Sequence, residues 1–241
     1  MPDLFEAATE GGLGFCQAAL GTLLPADYHG PLVVALDSSV LIDLRDHGEA
    51  LLDDVLPEVA VGDKNYAGDL NGLADLLNLW LLRDIRFVVT PRSLTDLGND
   101  SDPARRDRRQ LDVEAVDQAL TFQFGDWTVV PPSEQAQPLR GTETGLPDGP
   151  DRDLVLEAQG ARAHVFLTRD KKVLRRVSLS GPQLHVMPPK RLASALAAAD
   201  VRLFSGGTCG RRDCYYTEWA APAPDIGRWG PFMSLFQGRE S

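Results

Sequence analysis

Two kinds of apolar pattern alternate along this chain. Short unbroken runs read as buried strands: "PLVVAL" (31–36), "IRFVVTP" (85–91), "WTVV" (127–130), "HVFLT" (164–168) and "QLHVM" (183–187). Between them lie stretches that read as helices. These are "SSVLIDLRD" (38–46), "LADLLNLWLLRD" (73–84), "RSLTDLGN" (92–99), "RQLDVEAVDQALTFQ" (109–123), "DLVLEAQGAR" (153–162), "KKVLRRV" (171–177) and "PKRLASALAAA" (189–199). In the second of them Leu73, Leu76, Leu77 and Trp80 fall at helical spacing. Strands alternating with helices predict an α/β fold, a three-layer α/β/α arrangement around a central parallel sheet. Right-handed crossovers then bring the carboxyl ends of the strands to one edge, where such folds place their ligands.

The ends of the chain depart from this alternation. Residues 1–30 carry a weak helical pattern (Leu4, Phe5 and Ala8, then Phe15, Cys16 and Ala19), closed by Pro25 and Gly30, and are expected to form an N-terminal appendage. Residues 31–200 make the main domain, and 201–241 a C-terminal extension rich in aromatics. A stretch rich in Pro, Gly and polar residues, "PPSEQAQPLRGTETGLPDGP" (131–150), has the composition of an exposed loop whose length suggests a flap.

Composition narrows the class. With 43% apolar and 24% charged residues, and every apolar run broken by charge, a globular chain without a membrane span is expected. The acidic start "MPDLFEAATE" lacks the basic, apolar layout of a secretory signal, so a cytoplasmic protein is expected. Cys16, Cys209 and Cys214 fit reduced thiols. The pair in "CGRRDC" resembles half a metal site, but Zn²⁺ wants four ligands and no second pair stands in the sequence. Two ordinary thiols in a loop are therefore expected. The net charge of −11 argues at first against a polyanionic partner, although carboxylates gathered around a metal would give the same sign.

The acidic residues at the strand ends change the picture most. Asp37 directly follows the first strand, and Asp96 sits in the first turns of the helix after the second. Asp151 and Asp153 open a later helix, and Asp170 lies two residues beyond Thr168 at another strand end. Four carboxylates brought together would repel and raise one another's pKa values. Mg²⁺ or Mn²⁺, which prefers oxygen ligands and keeps bound water, makes such a gathering tolerable. Two such ions suit phosphodiester hydrolysis. Asp151, Asp153 and Asp170 also have a plain reading as helix caps, and a lone Asp after an apolar strand says little; the ordered set is what carries weight.

The segments "VVALDSSVLIDL", "VVTPRSLTDL" and "GPDRDLVLEAQGARAHVFLTRDKKVL", in that order, resemble the PIN domain, a family of metal-dependent ribonucleases that includes toxins of toxin–antitoxin pairs. The resemblance covers roughly residues 31–190. It implies that Asp37, Asp96, Asp151 and Asp170 are catalytic metal ligands, with Asp153 the fallback for the third place. It further implies supporting roles for Ser38, Ser39 and Thr168. Asp96 stands where many members carry Glu, one methylene longer.

Basic clusters at Arg105, Arg106, Arg108 and Arg109, and at Lys171, Lys172, Arg175 and Arg176, suit phosphates or a solvated helix face. Lys171, Lys172 and Arg175, next to Asp170, are the better substrate candidates. The tail aromatics Tyr215, Tyr216, Trp219, Trp229, Phe232 and Phe236 suit core packing, docking on a second copy or another protein, or stacking on unpaired bases. The four histidines stand singly, and His164 and His185 read as core or edge residues. The expected function is an endoribonuclease using Mg²⁺ or Mn²⁺, with RNA favoured over DNA. A catalytically silent PIN-like scaffold is the alternative. A haloacid-dehalogenase-like phosphatase is a weaker one, because its mechanism needs a second Asp where Ser39 stands.

Overall fold

A computed structural model of the chain describes residues 13–53, 55, 57–60, 62–97, 102–109, 111, 115, 144–177, 184–212, 214 and 216. The elements, in chain order, are β1 (Phe15–Cys16), α1 (Gln17–Leu20), β2 (His29–Gly30), β3 (Leu32–Leu36), α2 (Ser38–Leu52), α3 (Lys64–Trp80), β4 (Ile85–Val89) and α4 (Pro91–Leu97). There follow α5 (103–109), α6 (Pro150–Gly160), β5 (Val165–Leu167), α7 (Lys171–Arg176), β6 (His185–Met187) and α8 (Pro189–Ala198). The predicted strand "WTVV", most of the predicted helix 109–123, the flap up to residue 143, residues 1–12 and the tail aromatics other than Tyr216 lie outside the described residues.

The fold is mixed α/β. Its four-stranded sheet has the order β4-β3-β5-β6, with β3–β5 and β5–β6 parallel. Each residue of β3, β4 and β5 is buried, which explains why β3 and β5 appear in the sequence as unbroken apolar runs rather than as alternation, and why the one charge in β4, Arg86, is paired with Asp84 (2.9 Å). No helix among the described residues is long and apolar enough to cross a membrane.

The chain sorts into two units. The first holds the described parts of Met1–Val33, His47–Arg86 and Pro189–Ser241. Its largest interface joins α3 to α8. Asp63 caps α3 by accepting from the N–H groups of Asn65 (2.9 Å) and Tyr66 (3.2 Å). From there Leu70, Leu73, Leu76, Leu77 and Trp80 turn inward, and α8 answers with Leu192, Ala193 and Leu196. The helices meet at Gly72, where a Cβ would lie 2.5 Å from the Cα of Lys190. The helical pattern read at Phe15, Cys16 and Ala19 is realised only as the single turn α1. Phe15 and Cys16 are instead extended, and β1 pairs antiparallel with β2, Cys16 opposite His29.

Arg83 is fully buried in this unit and donates to main-chain carbonyls. Its Nη1 donates to the oxygens of Arg202 and Ser205 (3.0 Å each), and its Nη2 to those of Gly14 (3.2 Å) and Gly206 (2.9 Å). The guanidinium also lies 4.8 Å from the centre of the Phe15 ring.

The second unit holds the described parts of Val34–Asp46 and Phe87–Pro188. Here Val34, Ala35 and Leu36 pair with Val165, Phe166 and Leu167, which pair in turn with His185, Val186 and Met187. The strand order reverses beside β3, because the next strand in the chain pairs on one side of it and β5 on the other. In open parallel sheets the crevice beyond the strand ends at such a reversal is the usual ligand site. Asp37, the first residue past β3, stands there.

Candidate functional site

Asp37 is held from three directions. Its N–H donates to the Leu167 carbonyl (3.0 Å), prolonging the pairing of β3 and β5 by one residue. Its own carbonyl accepts from Val40 and Leu41 and so starts α2. Its carboxylate, 5% exposed, accepts from the hydroxyls of Thr168 (2.6 Å), Ser39 (2.8 Å) and Ser38 (3.3 Å). Burial pushes the carboxyl pKa up, and the hydrogen bonds from Thr168, Ser39 and Ser38 oppose that rise. The three side-chain donors are neutral, so they fix the geometry of the carboxylate without neutralising it.

A cavity of about 250 Å³ opens above Asp37. Asp37, Ser38, Ser39, Asp96, Asp151, Leu154, Arg169 and Asp170 line it. Four acidic side chains from four separate chain segments thus face one space. Asp153 is exposed and does not line the cavity, although it lies in the same helical turn as Asp151. Thr168 sits behind the wall, fully buried, and besides bonding Asp37 accepts from the Asp170 N–H (3.0 Å).

The other carboxylates have anchors of their own. Asp96 pairs with Arg92 one turn back on α4 (2.9 Å). Glu157 of α6 accepts from the Arg92 N–H (2.8 Å), which locks the start of α4 to the helix that carries Asp151. Asp170 caps α7 through the N–H groups of Lys172 (2.6 Å) and Val173 (3.4 Å), so the capping reading and the cavity-lining reading both hold for it. Lys171, Lys172, Arg175 and Arg176 are exposed on α7 and lie outside the cavity wall. Arg105 and Arg108 on α5 are exposed, Arg106 and Arg109 half-buried.

Arg169 was not among the residues singled out from sequence. Its guanidinium reaches back to the buried Asp43 of α2, Nη2 to Oδ1 at 2.8 Å with Nε beside Oδ2, and it still lines the cavity. Its N–H donates to Ser39 Oγ (3.3 Å). The pair ties α2 to the loop between β5 and α7, the two elements that present Asp37 and Asp170. One sign of it was legible in "SSVLIDLRD": Asp43 falls among the buried Val40, Leu41 and Leu44, and a carboxylate there needs a cation.

Comparison with protein-family models, with curated proteins and with solved structures returns no match. The residues themselves therefore have to carry the functional reading. Their donor set is all oxygen, the chemistry that a hard divalent cation prefers. A buried carboxylate whose pKa is raised and whose side-chain donors are neutral is what a cation would relieve. Asp37, Asp96, Asp151 and Asp170 offer that donor set around one cavity, although among the described residues the side chains gathered closely enough to share one ion are Cys16, His29, Cys209 and Cys214.

Proposed function

We propose that this chain is a PIN-like, metal-dependent nuclease that hydrolyses RNA phosphodiester bonds. The observation that carries this reading is the meeting of Asp37, Asp96, Asp151 and Asp170 in one cavity at the reversal of a parallel sheet. Asp37 is the central ligand, with Ser39 and Thr168 both holding its Oδ2 and Ser38 its Oδ1. Asp96, Asp151 and Asp170 complete the acidic wall. A bound Mg²⁺ or Mn²⁺ supplies the acidity that makes water nucleophilic at neutral pH and offsets the charge that develops on the phosphate. Arg169, held by Asp43, brings its remaining N–H donors to the same wall, where a phosphate oxygen would approach. Lys171, Lys172 and Arg175, exposed beyond Asp170, offer contacts to phosphates flanking the cut.

The test is cleavage of a short labelled single-stranded RNA with Mn²⁺, then with EDTA, then by Asp37→Asn. Cleavage by the wild type with Mn²⁺ alone is the expected result. Undiminished cleavage by Asp37→Asn would overturn the assignment. Absence of cleavage in every tube would favour the catalytically silent scaffold, for which Asp96 held by Arg92 and Asp170 engaged as a cap are the structural arguments.

A further inference from the structure

The first unit brings together side chains that the nuclease reading leaves unused. Cys16, His29, Cys209 and Cys214 place one ligand atom each so that all four lie within 4.8 Å of one another. Cys16 Sγ is 3.5 Å from Cys214 Sγ and 3.0 Å from His29 Nδ1, and Cys214 Sγ is 3.8 Å from that nitrogen. All three cysteines of the chain converge here, none of them in a disulfide.

We propose that Cys16, His29, Cys209 and Cys214 form a closed tetrahedral site for one structural Zn²⁺ ion. With Zn–S near 2.3 Å and Zn–N near 2.0–2.1 Å, a tetrahedron has ligand-to-ligand edges of roughly 3.5–3.8 Å. The observed separations surround those values. The set of three thiolates and one imidazole is a common structural zinc combination, and the spacing Cys-x₄-Cys in "CGRRDC" is within the usual range. Its missing second pair is supplied in space by β1 and β2, whose register sets Cys16 directly opposite His29.

The backbone around the sulfurs fits the same purpose. The Cys209 N–H is directed at Cys16 Sγ, and the Arg211 N–H at Cys209 Sγ, as bonds to thiolates would be. Gly210 takes a φ of +65°, and the Cys214 N–H returns to the Arg211 carbonyl (3.0 Å), so the segment curls both sulfurs toward one point. Arg83 bonds Gly14 on one side and Arg202, Ser205 and Gly206 on the other, holding the strand of Cys16 against the segment that leads to Cys209. An inert pocket of thiols would explain the burial of Cys16 and Cys214. It would not explain an exposed His29 and a half-exposed Cys209 aimed at the same centre.

The full chain, purified without chelator, is expected to hold about one Zn²⁺ or to take up one on titration. Substitution by Co²⁺ should give the intense visible bands of a tetrahedral, thiolate-bound ion. Cys209→Ser and His29→Ala change residues that are not buried, so their fold should survive. Each should weaken Zn²⁺ by more than the 10–100-fold that loss of an outer partner costs. Asp37→Asn should keep its zinc, which separates this site from the proposed nuclease centre. Three freely titrating thiols with no bound or bindable Zn²⁺, a Cys16–Cys214 disulfide, or unchanged affinity in both variants would each overturn the proposal.

Discussion

Thr168 gives Asp37 its shortest hydrogen bond and, through the same oxygen, receives the N–H of Asp170. Thr168→Val keeps the shape and removes both. The lost bond favoured the ionised carboxylate, so the Asp37 pKa should rise further and the acid limb of Mn²⁺-dependent cleavage should move to higher pH. Activity should fall about 10–100-fold, the usual cost of losing an outer partner of a metal ligand. A pH–rate profile checks both effects. Asp37 itself makes a second prediction. Its folded pKa lies above the unfolded value of 3.8, so its stabilising contribution is complete below that pH and is lost as pH rises through the folded pKa. At pH 7 in EDTA, Asp37→Asn should therefore melt higher than the wild type, while only the wild type gains stability on adding Mn²⁺. At this scale the sequence was informative where a carboxylate ended an apolar strand. It was silent on Arg169, because the Asp43 that explains Arg169 lies 126 positions away.

The close approach of α3 and α8 depends on a missing side chain. Alanine in place of Gly72 improves helix propensity by about 1 kcal/mol. Its methyl would also meet the backbone of Lys190 at 2.5–2.6 Å, where no flexible group can yield. Overpacking of this kind costs about 1–3 kcal/mol. The clash should win, and Gly72→Ala should lower the midpoint of chemical unfolding without abolishing the fold. The inner half of α3 was readable from Leu73, Leu76, Leu77 and Trp80, but its start at Lys64 was not. "KNYAGD" shows no apolar period, and the helix begins there because Asp63 caps it. The ribbon of β1 and β2 was hidden for another reason: strands of two residues are too short to show any period. The strands β3 and β5 were legible because burial on both faces left unbroken apolar runs, and β4 and β6 because single polar residues interrupt runs that are otherwise apolar. The pairing that sets Cys16 opposite His29 is a matter of register, which residue spacing does not encode.

The tolerance of the molecule to acid should be set in part by a histidine. His164 is buried, and desolvation, with a smaller repulsion from His185, draws its pKa from 6.5 down to about 4. A folded pKa below the unfolded one means that the neutral ring contributes its full stability above about pH 6.5 and loses it as pH falls toward 4. The loss should reach up to about 3 kcal/mol. Urea titrations at pH 7.5, 5.5 and 4.5 should show the decline, and His164→Gln should flatten it; an equally steep decline in that variant would refute the assignment. The α/β class was visible in the alternation of elements. The division into two units was not, because each unit is assembled from non-adjacent stretches and spacing along a chain says nothing about that. This division sets an order during synthesis. All four carboxylates of the cavity have been translated once Asp170 is made, but Cys16 and His29, made well before them, must wait for Cys209 and Cys214. At about 5–20 residues per second that interval is roughly 10–40 seconds, and through it the thiol of Cys16 stays unguarded.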